Sequence, residues 1–324
     1  MSLTSQLRDP TSPMGSFMLE AFGYGTDWAD HYHSTLQSAR TLRPRVSGGY
    51  RCDYSLIGTA LTYLFAWEME PQRKWTLGEL TVPHNGFYIW RNLAFNEDLQ
   101  TYRYWPPESS SRQPKNTENG LSLLEELNAA TAHLHTLSPE EKCRLALFLG
   151  MLDHWFRSGP KANERMYPIA PTDDLNKITR HLRPEWIEDV MNLRTQFLGS
   201  LPSGPTGKNI YLPCFAGSKD VGGADADWIT GQTLIDCKAT INPMMNASEL
   251  RPHIWQLLGY AGLDWDNEFD LRDLGLYMAR QGTWVIWNGD DLCGQASGGA
   301  VNSLEELREL TEEVLTGPQY DLDY

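Results

Sequence analysis

An α/β fold is predicted: a mainly helical N-terminal region over residues 1–170, then a mixed core over 171–300, then an acidic helix and tail over 301–324. The expected core order is helix, three-stranded meander, helix, strand, strand. Three observations predict it. Apolar residues recur at helical spacing up to about residue 170. After Pro171, short apolar runs separated by glycine turns take over. A helical period then returns between the third and the fourth of these runs.

The elements follow in order. "YSLIGTALTYLFAWEM" (54–69) is a long apolar helix, and the Pro/Ser/Asn-rich stretch 101–120 is a loop. "LSLLEELNAATAHLHTL" (121–137) and "SPEEKCRLALFLGMLDHWFRSG" (138–159) form a helical hairpin. The second helix opens with Ser138 and Glu141 at capping-box spacing and closes at Gly159. "RPEWIEDVMNLRTQFLGS" (183–200) has proline at a first-turn position and Trp186, Val190, Leu193 and Phe197 at helical spacing. "NIYLPCFAG" (209–217), "ADADWIT" (224–230) and "TLIDCKAT" (233–240) are the meander, with "TGQT" (230–233) as its tight turn. "LRPHIWQLLGYAGLDW" (250–265) is helical, and "DLGLYMAR" (273–280) and "GTWVIW" (282–287) are the last two strands. No internal repeat is visible.

Composition excludes some classes. A 41% hydrophobic content fills a real core, and no apolar run is long enough to span a membrane. The start "MSLTSQLRDPTSP" lacks the charged beginning and apolar middle of a secretory signal, so a cytoplasmic location is expected. Cys52, Cys143, Cys214, Cys237 and Cys293 are odd in number, scattered and without a C-x-x-C pair, which points to reduced thiols. The net charge of −15 is uneven: residues 264–324 carry 14 acids against 3 bases, and the preceding 263 residues only −4. Nucleic acid therefore stays open as a partner.

The chemistry concentrates at 222–240, where aspartates and a lysine stand on two short apolar runs. Residues two apart on a strand share a face, so Asp225 and Asp227 point one way, as do Asp236 and Lys238 on the next run. A turn at Gly231 makes the runs neighbours. Carboxylates gathered there repel by on the order of several kcal/mol without a cation among them, and Lys238 offsets only part. Hard oxygen ligands favour Mg²⁺ or Mn²⁺.

D…D-x-K on a hairpin, followed by a helix carrying Gln256 and Tyr260 as Q-x-x-x-Y, resembles the PD-(D/E)XK nuclease superfamily in its RecB-like and phage lambda exonuclease-like branch. The resemblance covers roughly 115 residues, 184–280 with their flanks, and it implies a restriction-endonuclease-like core. "GTALTYL" (58–64) is similar to the helix that often precedes that core in RecB-like proteins. The tripeptide alone is unspecific: Glu140-x-Lys142 also matches, in a helical first turn where an acid simply suits the dipole. The resemblance implies that Asp225 is the first metal ligand, with Asp227 beside it as the alternative, because Ala224 stands where the motif has proline. Asp236 is then the second ligand and the Cys237 carbonyl the third. Lys238 orients or deprotonates the attacking water, and Gln256 and Tyr260 position DNA or brace the site. Many members add an acid from the helix before the strands, for which Glu185 and Glu188 are the candidates.

These expectations describe a Mg²⁺- or Mn²⁺-dependent nuclease acting on DNA in bacterial or phage DNA processing or defence. The competing class is a catalytically inactive nuclease-fold subunit that binds or scaffolds within a nucleic-acid-processing complex. The acidic C-terminal segment leaves room for a protein partner or a homo-oligomer. Arg40, Arg43, Arg45 and Arg51 form one basic cluster, and Arg157, Lys161, Arg165, Lys177, Arg180 and Arg183 a second. Acids in 264–275 imitate a calcium loop, but Phe269 and Gly275 occupy the positions that need glycine and glutamate. The pairs His31/His33 and His133/His135 lie in helix or loop and suit surface or packing roles.

Overall fold

A computed structural model describes residues 2–45, 52–95, 121–158, 174–180 and 182–317. Its helices are α1 (Leu3–Gln6), α2 (Pro13–Phe22), α3 (Trp28–Leu36), α4 (Tyr54–Met69), α5 (Thr81–Phe95), α6 (Leu121–Ala132), α7 (Pro139–Ser158), α8 (Leu175–Arg180), α9 (Pro184–Ser200), α10 (Ala247–Gly262), α11 (Gly289–Ser297) and α12 (Leu304–Thr316). Its strands are β1 (Asn209–Tyr211), β2 (Trp228–Thr230), β3 (Thr233–Lys238), β4 (Asp273–Met278) and β5 (Thr283–Asn288). The predicted α/β order of helical region, three strands, helix and two strands is observed. The predicted loop 101–120, Arg51, Lys161, Arg165 and the tail from 318 onward lie outside the described residues.

The chain divides into two compact units, Pro44–Thr195 and a second one composed of Met1–Arg43 with Gln196–Tyr324. The expected boundaries near 170 and 300 therefore do not coincide with the packing. Residues 2–43 pack into the core of the sheet unit through Met14, Met18, Phe22, Trp28 and Tyr32, and α12 joins the same core through Leu304 and Leu307.

In the unit Pro44–Thr195, α4 and α5 both pack on α7. Asp53 caps α4 by accepting from Leu56 N–H at 3.0 Å. The capping box of α7 forms as predicted, with Ser138 N–H donating to Glu141 at 2.7 Å and Glu141 N–H to Ser138 Oγ at 3.3 Å. Glu68, nearly buried, accepts two hydrogen bonds from Arg194 at 2.8 and 3.0 Å and has Lys142 Nζ at 3.7 Å.

In the other unit the sheet runs β1-β2-β3-β4-β5, antiparallel except for the parallel pair β3–β4, which α10 connects. One face carries Ile229, Leu234, Leu274, Leu276 and Val285, clustered with Leu250, Ile254 and Leu257 of α10. The opposite face is aromatic: Tyr277 lies 4.4 Å from Trp284 and 5.3 Å from Phe197 between ring centroids. Ser200 fastens this cluster, donating to Tyr277 Oη at 3.1 Å and accepting from Trp284 Nε1 at 3.0 Å.

Two predicted strands are shorter than their apolar runs. β1 stops at Tyr211 because Leu212 takes φ 48° and Pro213 has no N–H for the ladder, and Ala216–Lys219 coils into a 3₁₀ turn. β2 begins only at Trp228, so Asp225 and Asp227 stand on the approach to the strand. α10 begins three residues earlier than its apolar period, because Asn246 and Glu249 form a capping box.

Candidate functional site

The site is built where β2 and β3 leave their turn. Gly231, at φ 62°, makes that turn and sets Trp228 opposite Ile235. Carried one step further, this register places Asp227 opposite Asp236. The segment entering Asp227 is held from behind: Ser218 Oγ donates to Ala224 O at 2.7 Å, and Leu3 N–H donates to Gly223 O at 3.0 Å. Asp225 forms an isolated antiparallel bridge with Cys214. Asp227 Oδ2 accepts the Cys237 N–H at 2.6 Å and thereby ties the two segments together where the β2–β3 ladder ends.

Asp236 belongs to the row Leu234–Asp236–Lys238 on the α10 face, at the point where aliphatic packing gives way to polar contacts. It is only 4% exposed and pairs with the Lys238 ammonium. The contact is an ion pair made through Asp236 Oδ2. Lys238 Nζ donates to Gln256 Oε1 at 2.9 Å, and Gln256 Nε2 donates to Tyr260 Oη at 2.9 Å. The i, i+4 spacing on α10 puts both side chains on one stripe. A continuous chain Asp236–Lys238–Gln256–Tyr260 results.

The electrostatics show which groups converge. Burial raises the Tyr260 phenol, and the nearby Asp236 raises it further, with smaller contributions from Asp227 and Asp225 against the opposing Gln256 hydrogen bond. Three carboxylates therefore act on one phenol. The Cys237 thiol is pushed well above its ordinary value by burial first, then by Asp227 and Asp236, with Lys238 opposing. Burial, Lys238 and Arg8 together pull His253 down to about 3.

The structure thus brings together Asp225, Asp227, Asp236, Lys238, Gln256 and Tyr260, with the Cys237 backbone between them. Glu185 and Glu188 belong to the unit Pro44–Thr195, and there Glu188 pairs with Arg45 at 3.7 Å with about half of its side chain exposed. Among the described residues, no group of three or more His, Cys, Asp or Glu side chains is gathered tightly enough to hold a metal ion. The donor set nevertheless fits a hard divalent cation in kind: a buried carboxylate, a neighbouring aspartate and a backbone carbonyl. Asp264, first acid of the apparent calcium loop, is fully buried and accepts Glu268 N–H at 3.1 Å, as a residue closing a turn does.

Sequence reasoning missed His253 and Arg8. His253 was within reach of it, since it lies three residues before Gln256 and seven before Tyr260 on the same stripe. Arg8 carries no local signal, because only tertiary packing takes it there. Comparison with protein-family models, with curated proteins and with solved structures finds no match for this chain.

Proposed function

We propose that the protein is a metal-dependent nuclease that hydrolyses DNA phosphodiester bonds on a restriction-endonuclease-like core of PD-(D/E)XK type. The observation that carries the reading is the chain Asp236–Lys238–Gln256–Tyr260 beside Asp225 and Asp227, on a sheet whose strand and helix order is that of the motif. Asp236, the Cys237 carbonyl and Asp225 would hold Mg²⁺ or Mn²⁺. Asp227 serves less well, since one of its oxygens already accepts the Cys237 N–H. When bound, the ion supplies Lewis-acid stabilisation of charge developing on the scissile phosphate.

The chain's own residues do the rest. Lys238 places a cation and N–H donors where water and phosphate meet, an arrangement that stabilises charge in a water-poor site. Gln256 fixes the Lys238 head group, and the Tyr260 hydroxyl accepts from Gln256 and fixes its amide. Tyr260 stays a neutral phenol there, because burial and three acids oppose its ionisation.

One observation favours the second reading, a nuclease-fold subunit that binds or scaffolds without turnover. Lys238 already pairs with Asp236, and among the described residues no three His, Cys, Asp or Glu side chains are gathered tightly enough to hold a metal ion. Degradation of plasmid, linear and single-stranded DNA in Mg²⁺ or Mn²⁺ separates the two readings. The wild type should cut, and Asp236→Ala and Lys238→Ala should each lose about 10²-fold or more. Equal cutting by all three proteins, or by none, removes the nuclease proposal.

A further inference from the structure

Arg280, just past β4, is fully buried although it carries a guanidinium. A buried cation is tolerated only when its N–H groups are paired, and two of these donate to backbone carbonyls. Arg280 Nε donates to Ala239 O at 2.7 Å, and Nη1 donates to Leu42 O at 3.4 Å. Leu42 N–H donates in return to Arg280 O at 2.7 Å. Gln281 Nε2 repeats the stitch one residue on, reaching Thr41 Oγ1 at 3.1 Å and Thr240 O at 3.5 Å. Ala279 N–H donates to Lys238 O at 2.9 Å. Segment 41–42 is therefore strapped across the ends of β3 and β4, one residue beyond the lysine of the site.

The strap carries Arg40 on one side of the stitch and Arg43 on the other. Both are exposed, and neither forms an ion pair among the described residues. Three residues of chain span at most about 11 Å, so two guanidinium forks on a fixed backbone can reach neighbouring phosphates of one strand. In a protein with a net charge of −15, residues 40–43 carry two arginines and no acid, which favours a polyanion at the strap itself. Pinning the backbone also reduces the ordering cost of each contact.

We propose that this strap is a phosphate-backbone clamp, in which Arg40 and Arg43 hold the DNA strand that enters the site at Lys238. The clamp rests on the nuclease reading for its ligand but is measured by binding alone. The experiment follows fluorescence anisotropy of labelled 30-nucleotide single-stranded and duplex DNA in EDTA over a NaCl series. The full-length wild type is compared with the double variants R40A/R43A and R40K/R43K, each first checked for an unchanged melting temperature. Wild-type binding should weaken with salt, and R40A/R43A should bind at least tenfold more weakly at low salt. Its log–log salt slope should be smaller by about 1.4 to 1.8, the loss of two phosphate contacts. R40K/R43K should recover most of the slope. An unchanged affinity and slope in R40A/R43A overturn the clamp, whether or not the wild type cuts. A slope lost in R40A/R43A together with a wild type that never cuts leaves the clamp standing and removes the nuclease reading. A wild type that binds no DNA overturns the clamp and leaves the nuclease reading to the cutting assay.

Discussion

Each unit buries an ionic cluster, and the two are built on opposite terms. In the helical unit Glu68 receives Arg194 through both of its oxygens and Lys142 besides, so that one carboxylate has two cations. In the sheet unit Lys238 serves Asp236, and Asp225 and Asp227 stand close enough to act on the same phenol. A buried charge network that serves stability is fully reciprocated. The sheet cluster gathers three carboxylates about one phenol instead, the feature on which the proposed metal site rests.

The contrast breaks most visibly in unfolding experiments. Arg194→Ala strands the Glu68 carboxylate in the helical core with only Lys142 nearby, and it should destabilise the protein by about 3–5 kcal/mol in guanidinium titrations. Asp236→Asn takes the carboxylate from Lys238 but also relieves repulsion from Asp225 and Asp227, and it should cost less, about 1–2 kcal/mol. Equal losses in the two variants would make the sheet cluster as structural as the helical one. In Mn²⁺ titration calorimetry, Asp236→Asn should abolish the heat seen with wild type, and Arg194→Ala, assayed below its melting temperature, should retain it.

A third buried cation sharpens the comparison. Arg280 donates to the Ala239 and Leu42 carbonyls, so Arg280→Met leaves both short of a donor. The expected cost is about 1–3 kcal/mol. Hydrogen exchange should show faster opening of the amides of residues 41–42 and 239–240 than in wild type. Unchanged exchange there would mean that Gln281 holds the strap by itself.

Much of this was legible because it is local. Leu234 and Ile235 mark β3, Asp236 and Lys238 share its face by alternation, and Gln256 and Tyr260 share a helical stripe by period. The register needed only the glycine at 231. What stayed hidden depends on tertiary contact or on backbone dihedrals. The positive φ of Leu212 ends β1, and no apolar pattern announces it. Asp227 also accepts the Cys237 N–H, a tie between neighbouring segments that no apolar pattern announces. The packing of residues 2–43 with the sheet rests on contacts such as Leu3 with Gly223 and Leu42 with Arg280, hundreds of residues apart, which no window along the chain can register.

The last test probes the electrostatics of the sheet cluster from its cationic side. Burial lowers His253 first, and Lys238 and Arg8 add to it, bringing the imidazole to about 3 from an ordinary 6.5. In the folded protein the ring therefore stays neutral where the unfolded chain already takes up a proton. Between pH 6.5 and about 3 the unfolded state binds more protons at this position, so its contribution to stability is complete above pH 6.5 and is lost as the pH falls through that window. Melting temperatures of wild type and His253→Asn, compared from pH 7.5 down to pH 4, isolate the effect, because the surrounding carboxylates titrate in both proteins. The two curves should run in parallel above pH 7 and converge below pH 6.5, where wild type falls more steeply. Parallel curves over the whole range would mean that His253 takes up its proton freely in the folded state. The cationic side of the cluster would then be open to water, and the desolvation on which Lys238 relies to act strongly on a phosphate would be absent.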